Sequence, residues 1–397
     1  MNKKNIMLMV PMLHQGGFER VCIQTARLLE SDYNIHILIF SSKNINYDVS
    51  GLNVVDINVP SKKGIVNKVI NVLKRVNKAK KVKKDLGIDI SYSFGSSANY
   101  VNVLSKGKEK VITGLRCQTD MEEPQEVRLF CRRSDKVISC SKEIVRQLSR
   151  DFNYDRSVCV YNPLDIASVR EKGKEPIEGF PFDPSTDKII SCMARNDHIK
   201  GIWHLVKAFA LVAKEHPEAR LVVVGAGNWD DYYKLSDELG IREKVYFPGV
   251  QKNPFPYVEK SYMYVLSSNH EGFPNALLEA LALGKPAVAA DCKTGPREIL
   301  LSAEQYEEVV KNSPNGESIT DTIEGEYGIL VPDMGEIVNL NPEEICEEEV
   351  NLSKAIMKML SNSDIYNRYS RKASERALNY SPDAYRENLC KELNGMD

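Results

Sequence analysis

Two successive rounds of alternation between short β-rich apolar runs and longer helical patterns constrain this chain more than any other feature. In the front half the candidate strands are 5–11, 35–40, 53–57, 89–93, 110–115 and 136–140, with helical patterns at 17–31, 65–86 and 142–152. After VCVYNPLDIASV (158–169), which ends a strand in an Asn-Pro turn, the polar stretch 171–187 reads as a linker. A second series begins at KIISCMAR (188–195). It runs through helix 201–215, strand 220–225, helix 230–239, strands 244–249 and 263–268, helix 275–283 and strand 286–291. Strand-helix alternation of this kind predicts parallel sheets covered by helices on both faces. The fold class expected is therefore α/β, with two doubly wound, Rossmann-like domains in tandem. The domains are placed at 1–165 and 166–381, with a closing helix at 382–397 packing back on the first. The acidic piece 304–326 is expected to be irregular, and helices at 343–361 and 364–378 complete the second domain.

A chain of 397 residues is long enough for two such cores. Its apolar runs, such as IMLMVPML (6–13), are too short to span a bilayer. The opening MNKKNIMLMVPML lacks a small-residue cleavage site, so it reads as a first strand rather than a secretion signal. Nine cysteines, scattered without paired spacing, fit reduced thiols in a cytoplasmic protein better than disulfides or a zinc site. The net charge of −2 hides an asymmetry: residues 1–186 carry 30 Lys and Arg against 21 Asp and Glu, the remainder 23 against 34. A basic front and an acidic back suggest two domains facing different partners.

The stretch HEGFPNALLEALALGKP (270–286) then raises a specific question, because it spends one glutamate at the mouth of a helix and another inside it. The helix is punctuated by Pro274 at its start and by Gly284 and Pro286 at its end. Its amino end, Gly272–Phe273–Pro274–Asn275, offers backbone N–H groups and a positive dipole end to a phosphate or a sugar hydroxyl. Glu279, one turn further in, suits two vicinal hydroxyls of a ribose, and Glu271 suits a hexose. ARNDHIKG (194–201) adds Arg195 and Lys200, a planar fork and a point charge that together suit a diphosphate. HQGGFERV (14–21) sets Gly16 and Gly17 between strand and helix, where backbone can approach a ligand closely. Taken singly each has an ordinary reading, a solvated arginine or a tight turn; their joint placement after equivalent strands points to a site.

With these residues in view, the chain resembles the family-4 retaining glycosyltransferases of the GT-B fold. The likeness rests on GGFER (16–20), YNPLD (161–165), MARNDHIKG (193–201), VVVGAG (222–227), FPGVQKNPFPY (247–257) and residues 267–300, the last of which carries the family's Glu–seven residues–Glu signature. It implies two domains facing a central cleft and a nucleotide-sugar donor, UDP- or GDP-linked, with UDP favoured by family frequency. It implies further that Glu279 holds the donor ribose, that Glu271 and the backbone of 272–275 contact the transferred sugar, that Arg195 and Lys200 hold the diphosphate, and that Gly249–Val250 lies against the base. Glu271, Arg195 and Lys200 are thus the expected catalytic groups.

Charge building on the leaving oxygen would be stabilised by the two cations and the helix end, so no metal and no cofactor is expected. Many members of the family carry a histidine near the acceptor. Here that place is TGLRCQTD (113–120), which offers Arg116 and Asp120 instead, as acceptor-binding or structural residues. His14 and His270 are read as bystanders.

Helix 65–86 carries eight Lys and Arg from Lys68 to Lys84 and no acid before Asp85. Val66, Val69, Ile70, Leu73 and Val76 form one stripe. Lys74, Lys78 and Lys81, with Arg75 beside them, form the opposing one, and the apolar stripe is expected to face the core. The cations would then meet water, an anionic membrane surface on the inner face of the plasma membrane, or the diphosphate of a lipid-linked acceptor. Nucleic acid is not an expected partner, since the basic stretch has no interleaved aromatics. The expected function is transfer of a sugar to a saccharide or lipid-linked saccharide in surface polysaccharide or glycolipid synthesis. A nucleotide-sugar epimerase and a non-catalytic sugar-nucleotide-binding regulator are the alternatives.

Overall fold

The structure, a computed structural model, describes residues 3–14, 16–61 and 64–396, the side chains of 65 and 66 excepted. The chain divides into two compact units, residues 1–163 with 382–397, and residues 164–381.

The first unit holds a sheet of seven strands: β1 (Asn5–Val10), β2 (Asn34–Ile39), β3 (Asn53–Asp56), β4 (Ile90–Phe94), β5 (Lys110–Leu115), β6 (Lys136–Ser139) and β7 (Ser157–Cys159). They are parallel and ordered β3-β2-β1-β4-β5-β6-β7. The second unit repeats the plan with β8 (Lys188–Met193), β9 (Ala219–Val224), β10 (Val245–Gly249), β11 (Met263–Leu266), β12 (Ala287–Ala290), β13 (Ile323–Glu324) and β14 (Ile329–Val331). Its order is β10-β9-β8-β11-β12-β14-β13, parallel except for the β13–β14 pair. The strands are apolar on both faces because helices cover both, as a parallel sheet requires. Two parallel-sheet α/β domains, the expected fold class, are what the chain forms.

The last helix, Pro382–Asn394, belongs to the first unit. Tyr385, Leu389 and Leu393 join its core, and the Tyr385 hydroxyl lies 2.6 Å from Thr25 Oγ1 on helix Gly17–Leu29.

Two sequence readings need correction. The acidic piece 304–326 is not irregular: it opens with helix Ala303–Asn312 and ends in β13. Ser302 and Gln305 form a capping box at the start of that helix, and Tyr306, Val309 and Val310 bury one helical stripe beneath an acidic exterior. Residues 158–169 do end a strand, as the sequence suggested. β7 stops at Cys159, and helix Ile166–Gly173 starts under an Asp165 cap that accepts the Ser168 N–H.

The second correction reverses a helix. On Ile65–Asp85 the side chains of Val69, Ile70 and Leu73 are 55%, 43% and 58% exposed. Val66, the first of that stripe, lies outside the described side chains. Turned inward instead are Val76, Ala79 and Val82, together with polar residues. Lys78 Nζ donates to the Ile57 carbonyl at 2.7 Å, Arg75 Nε to Val59 at 2.9 Å and Asn71 to Pro60 at 3.1 Å. The cause is the edge of the sheet. The chain leaving edge strand β3 has carbonyls with no ladder partner, and residues 71, 75 and 78 sit on one helical stripe that can reach them. Backbone satisfaction outweighs the apolar pattern there.

In the second unit a fully buried pair ties the end of β12 to the short helix Pro296–Leu300. The Arg297 guanidinium donates from Nε to Asp291 Oδ1 at 2.8 Å and from Nη2 to Oδ2 at 2.6 Å, and the Ile319 N–H completes the carboxylate. Burial pushes the Asp291 carboxyl up, against the pull of Arg297. Removing one partner leaves the other charge buried and uncompensated. Asp291→Ala is therefore expected to lower unfolding free energy by about 3–5 kcal/mol in a urea titration.

Candidate functional site

Strand order reverses where β8 meets β11, so the loops leaving their carboxyl ends lie side by side; open α/β sheets bind ligands at such a point. The loop after β8 is 194–201 and the loop after β11 is 267–274. They are laced together. The Asn269 N–H donates to the Ile199 carbonyl at 2.9 Å and Ser267 Oγ to the Lys200 carbonyl at 3.0 Å. Gly201 has φ of +57°, and a Cβ there would lie 2.2 Å from the Ser267 carbonyl oxygen, so only glycine fits this crossing.

The crossing brings Lys200 Nζ to 2.6 Å from Glu271 Oε1, with the two side chains only 18% and 14% exposed. Sequence reasoning placed this lysine and this carboxylate at different parts of a ligand; the fold pairs them. Arg195 is more open, 63% exposed, and its guanidinium bonds Asp197 at 3.0 Å. Burial raises the Asp197 carboxyl, but the Ile199 N–H and Arg195 outweigh it and leave it below its ordinary value. Glu279 is buried on helix Asn275–Ala282, whose first turn has no side-chain cap. Pro274 is the residue before that helix rather than in its first turn.

Glu271 and Glu279 both act electrostatically on one group that sequence reasoning missed. Tyr264 on β11 is fully buried, and its hydroxyl accepts the Met193 N–H at 3.3 Å. Burial, Cys192 and both carboxylates push this phenol well above its ordinary pKa. In the sequence Tyr264 reads only as one more apolar strand residue, MYVL, and nothing marks it.

The remaining predicted residues of this unit lie in neighbouring loops. The Asn196 N–H donates to Ala226 at 2.7 Å and the Gly225 N–H to Gly249 at 3.1 Å, so the turns after β8, β9 and β10 are joined. Gly249 has φ of +72° and Val250 is exposed. Thr294 Oγ1 donates to the Glu271 carbonyl, and Gly295 packs on Phe273 and Pro274, so the loop after β12 backs the loop after β11. Gly272 and Phe273 are buried, with the Phe273 ring 5.5 Å from that of Tyr380.

Beyond the loop after β11, a polar chain runs inward. Asn269 Nδ2 and His204 Nε2 meet the Gly335 carbonyl at 2.7 and 2.9 Å, and His204 Nδ1 lies 2.9 Å from Glu349. His270 contacts Glu336 at 3.0 Å, consistent with a supporting role. Among the described residues His204, Cys346 and Glu349 are the group whose donor atoms could hold a metal ion, all within 4.8 Å; the Lys207 ammonium, 3.7 Å from Glu349, opposes a second cation there.

In the first unit, Gly16 and Gly17 open helix Gly17–Leu29, and the Tyr47 hydroxyl donates to the Gly16 carbonyl at 2.9 Å. Arg116 and Asp120 are both buried and bonded within the first unit. Arg116 is 4% exposed, bonding the Tyr92 hydroxyl at 2.8 Å and Asn162 Oδ1. Asp120 accepts the N–H groups of Arg116 and Cys117 at 2.7 and 3.0 Å and the Ser96 hydroxyl at 3.3 Å.

Asp333, just after β14, is pushed up to about 7 by burial, with Asp291 and Glu336 adding to it. Its native form holds a proton that the unfolded chain releases, so it weakens folding as pH rises from the ordinary carboxylate range through 7. Asp333→Asn is expected to gain stability on the natural protein over that interval and to level off above it, read as the difference of melting temperatures at pH 5 and pH 8.

Residues 174–325, which include these loops, match the sequence profile of the family described as Glycosyl transferases group 1. An uncharacterized glycosyltransferase of Methanocaldococcus jannaschii is 31% identical over 262 residues, which are 63% of this chain and 61% of that protein, under two thirds of its length. The N-acetylgalactosamine-N,N'-diacetylbacillosaminyl-diphospho-undecaprenol 4-alpha-N-acetylgalactosaminyltransferase of Campylobacter jejuni is 27% identical over 305 residues, 72% of this chain and 80% of its own. Anabaena HepE, solved in complex with UDP and glucose, has a TM-score of 0.72 and 16% identity, covering 99% of this chain and 100% of its own. That likeness is one of fold, and it agrees with the two parallel-sheet domains of GT-B type.

Proposed function

We propose that this chain transfers a sugar from a nucleotide-sugar donor, UDP-linked, to a saccharide or lipid-linked saccharide in surface polysaccharide or glycolipid synthesis. The observation that carries the reading is the Lys200–Glu271 pair at the point of strand reversal, inside the segment that matches the family. A sugar joined to a diphosphate presents an anomeric carbon and an anionic leaving oxygen a bond apart. A carboxylate and an ammonium side by side match that junction, Lys200 toward the phosphate and Glu271 toward the sugar. Arg195, exposed beside them, is the second cation of the diphosphate. Glu279, buried at the first turns of its helix, is the ribose group, and the Gly249–Val250 turn the base contact. Gly16 and Gly17 are the donor-facing backbone of the first unit.

The chemistry follows from charge. Departure of the diphosphate concentrates negative charge on an oxygen, and cations fixed beforehand in a partly buried site stabilise it without reorganising. With two cations in that role, the reading is metal-independent and needs no cofactor. Retention of anomeric configuration is supported by the resemblance of residues 267–300 to family 4.

Thermal shift with a panel of nucleotide sugars tests donor binding: the true donor at 100-fold its dissociation constant adds about 2.7 kcal/mol of stability. Lys200→Ala is expected to lower kcat by about 10²–10³ with that donor, as loss of a charge-stabilising group does. Donor turnover without acceptor would point to an epimerase, and donor binding without turnover to a regulator.

We also propose attachment to an anionic membrane face, through a surface different from the one the sequence suggested. Among the described residues no helix is long and apolar enough to cross a membrane. The outward face of helix Ile65–Asp85 carries Val69, Ile70 and Leu73 toward its start and Lys74, Lys80, Lys81 and Lys84 toward its end, all exposed. Apolar side chains that enter the acyl boundary, with lysines at the headgroups, are the composition of an interfacial helix. Co-sedimentation with phosphatidylglycerol vesicles is expected to fall at least ~10-fold for the triple change of Val69, Ile70 and Leu73 to Ser. Salt should weaken the binding that remains.

A further inference from the structure

Helix Ile65–Asp85 divides its cations between two sides, and among the described residues Arg75, on the inward side, makes no ion pair. Arg75 is half-buried. Its Nε is spent on the Val59 carbonyl, and its guanidinium lies over the Phe40 ring, 4.4 Å from the centroid. Among the described residues no carboxylate pairs with it, and burial lowers its pKa with no neighbouring acid to raise it. A guanidinium has five N–H donors in a fixed plane, so four remain on the two terminal nitrogens. Half-buried, the group keeps those terminal N–H groups open to a ligand.

What it faces is a cavity of about 370 Å³ lined by Arg75, Lys43, His14, Ser41, Ser61 and Ser97, with no acid among its lining residues. These come from the segments that come after β1, β2 and β3 and from the start of helix Ser96–Leu104 after β4. The cavity therefore lies at the carboxyl edge of the first sheet, where open α/β sheets take ligands. Lys43 makes no ion pair among the described residues, and His14 Nδ1 lies 2.8 Å from Asn46 Nδ2. The Phe40 ring and the Val59 carbonyl hold the Arg75 guanidinium beside the cavity, and a planar fork suits two oxygens of one phosphorus centre.

We propose that this cavity is an anion seat that takes the phosphate or diphosphate group of the sugar acceptor. Naming the ligand an acceptor rests on the proposed sugar transfer; the seat itself does not. It also reassigns Arg75, which the sequence grouped with the outward lysines of its helix.

Isothermal titration of the full chain with inorganic pyrophosphate, UDP being saturating, tests the seat. One pyrophosphate should bind, and Lys43→Glu and Arg75→Gln should each weaken it at least ~10-fold, the loss of a charge-assisted contact. Lys43 is exposed and outside the core, so its variant stays informative if Arg75→Gln fails to fold. Two further titrations, with a short-chain prenyl diphosphate in micelles and with glycerol 3-phosphate in buffer, separate a lipid-borne group from a soluble one. The ligand whose affinity falls in Lys43→Glu identifies the source. Failure of UDP to bind, with pyrophosphate still sensitive to both substitutions, removes the donor reading and leaves the seat. Pyrophosphate affinity unchanged by Lys43→Glu, whatever UDP does, overturns it.

Discussion

Adjacency of β8 and β11 is the constraint on which the second unit's chemistry depends. The two strands are separated by nearly seventy residues of chain, yet their ladder sets the loops at their carboxyl ends against each other, and the glycine at position 201 lets them cross at contact distance. That crossing produces the Lys200–Glu271 pair. A lysine and a glutamate on free loops would lose side-chain entropy in meeting and gain little in water. Here the backbone bonds of 199–201 to 267–269 have already fixed both, and the partial burial of the pair reduces screening.

The supports behind the site are polar rather than apolar. Gly335 receives Asn269 and His204 together, His204 leans on Glu349, and the buried Asp291–Arg297 pair fixes the segment behind β12. Networks of this kind hold one geometry because each member left unpaired would be penalised inside the protein. That rigidity is useful for groups that must stabilise charge without moving.

The first unit shows how a sheet edge can redirect a helix. Carbonyls at 57, 59 and 60 lack strand partners, and Asn71, Arg75 and Lys78 supply them. The helix is rotated so that three apolar residues meet solvent and one arginine lines a cavity. The exposed stripe and the cavity are thus two consequences of one rotation.

Most of the architecture was legible in the sequence. The strands from 5–10 to 287–290 lie within a residue or two of the expected bounds, because parallel strands are short, apolar and bracketed by turn residues. The residues HEGFPN, ARNDHIKG and Gly201 were legible too, as punctuation that only loops at a ligand edge need. Helix Ala303–Asn312 could have been read from its Ser-x-x-Gln cap and its Tyr306, Val309, Val310 spacing, which an acidic composition obscured. The fate of Arg116, Asp120, Arg75 and the Val69–Leu73 stripe could not. The sequence determined which segments are strands and helices, since periodicity and turn chemistry act locally. Which face of a helix turns inward, and which carboxylate meets which cation, was decided only by tertiary structure, because both depend on unpaired backbone groups contributed by distant strands.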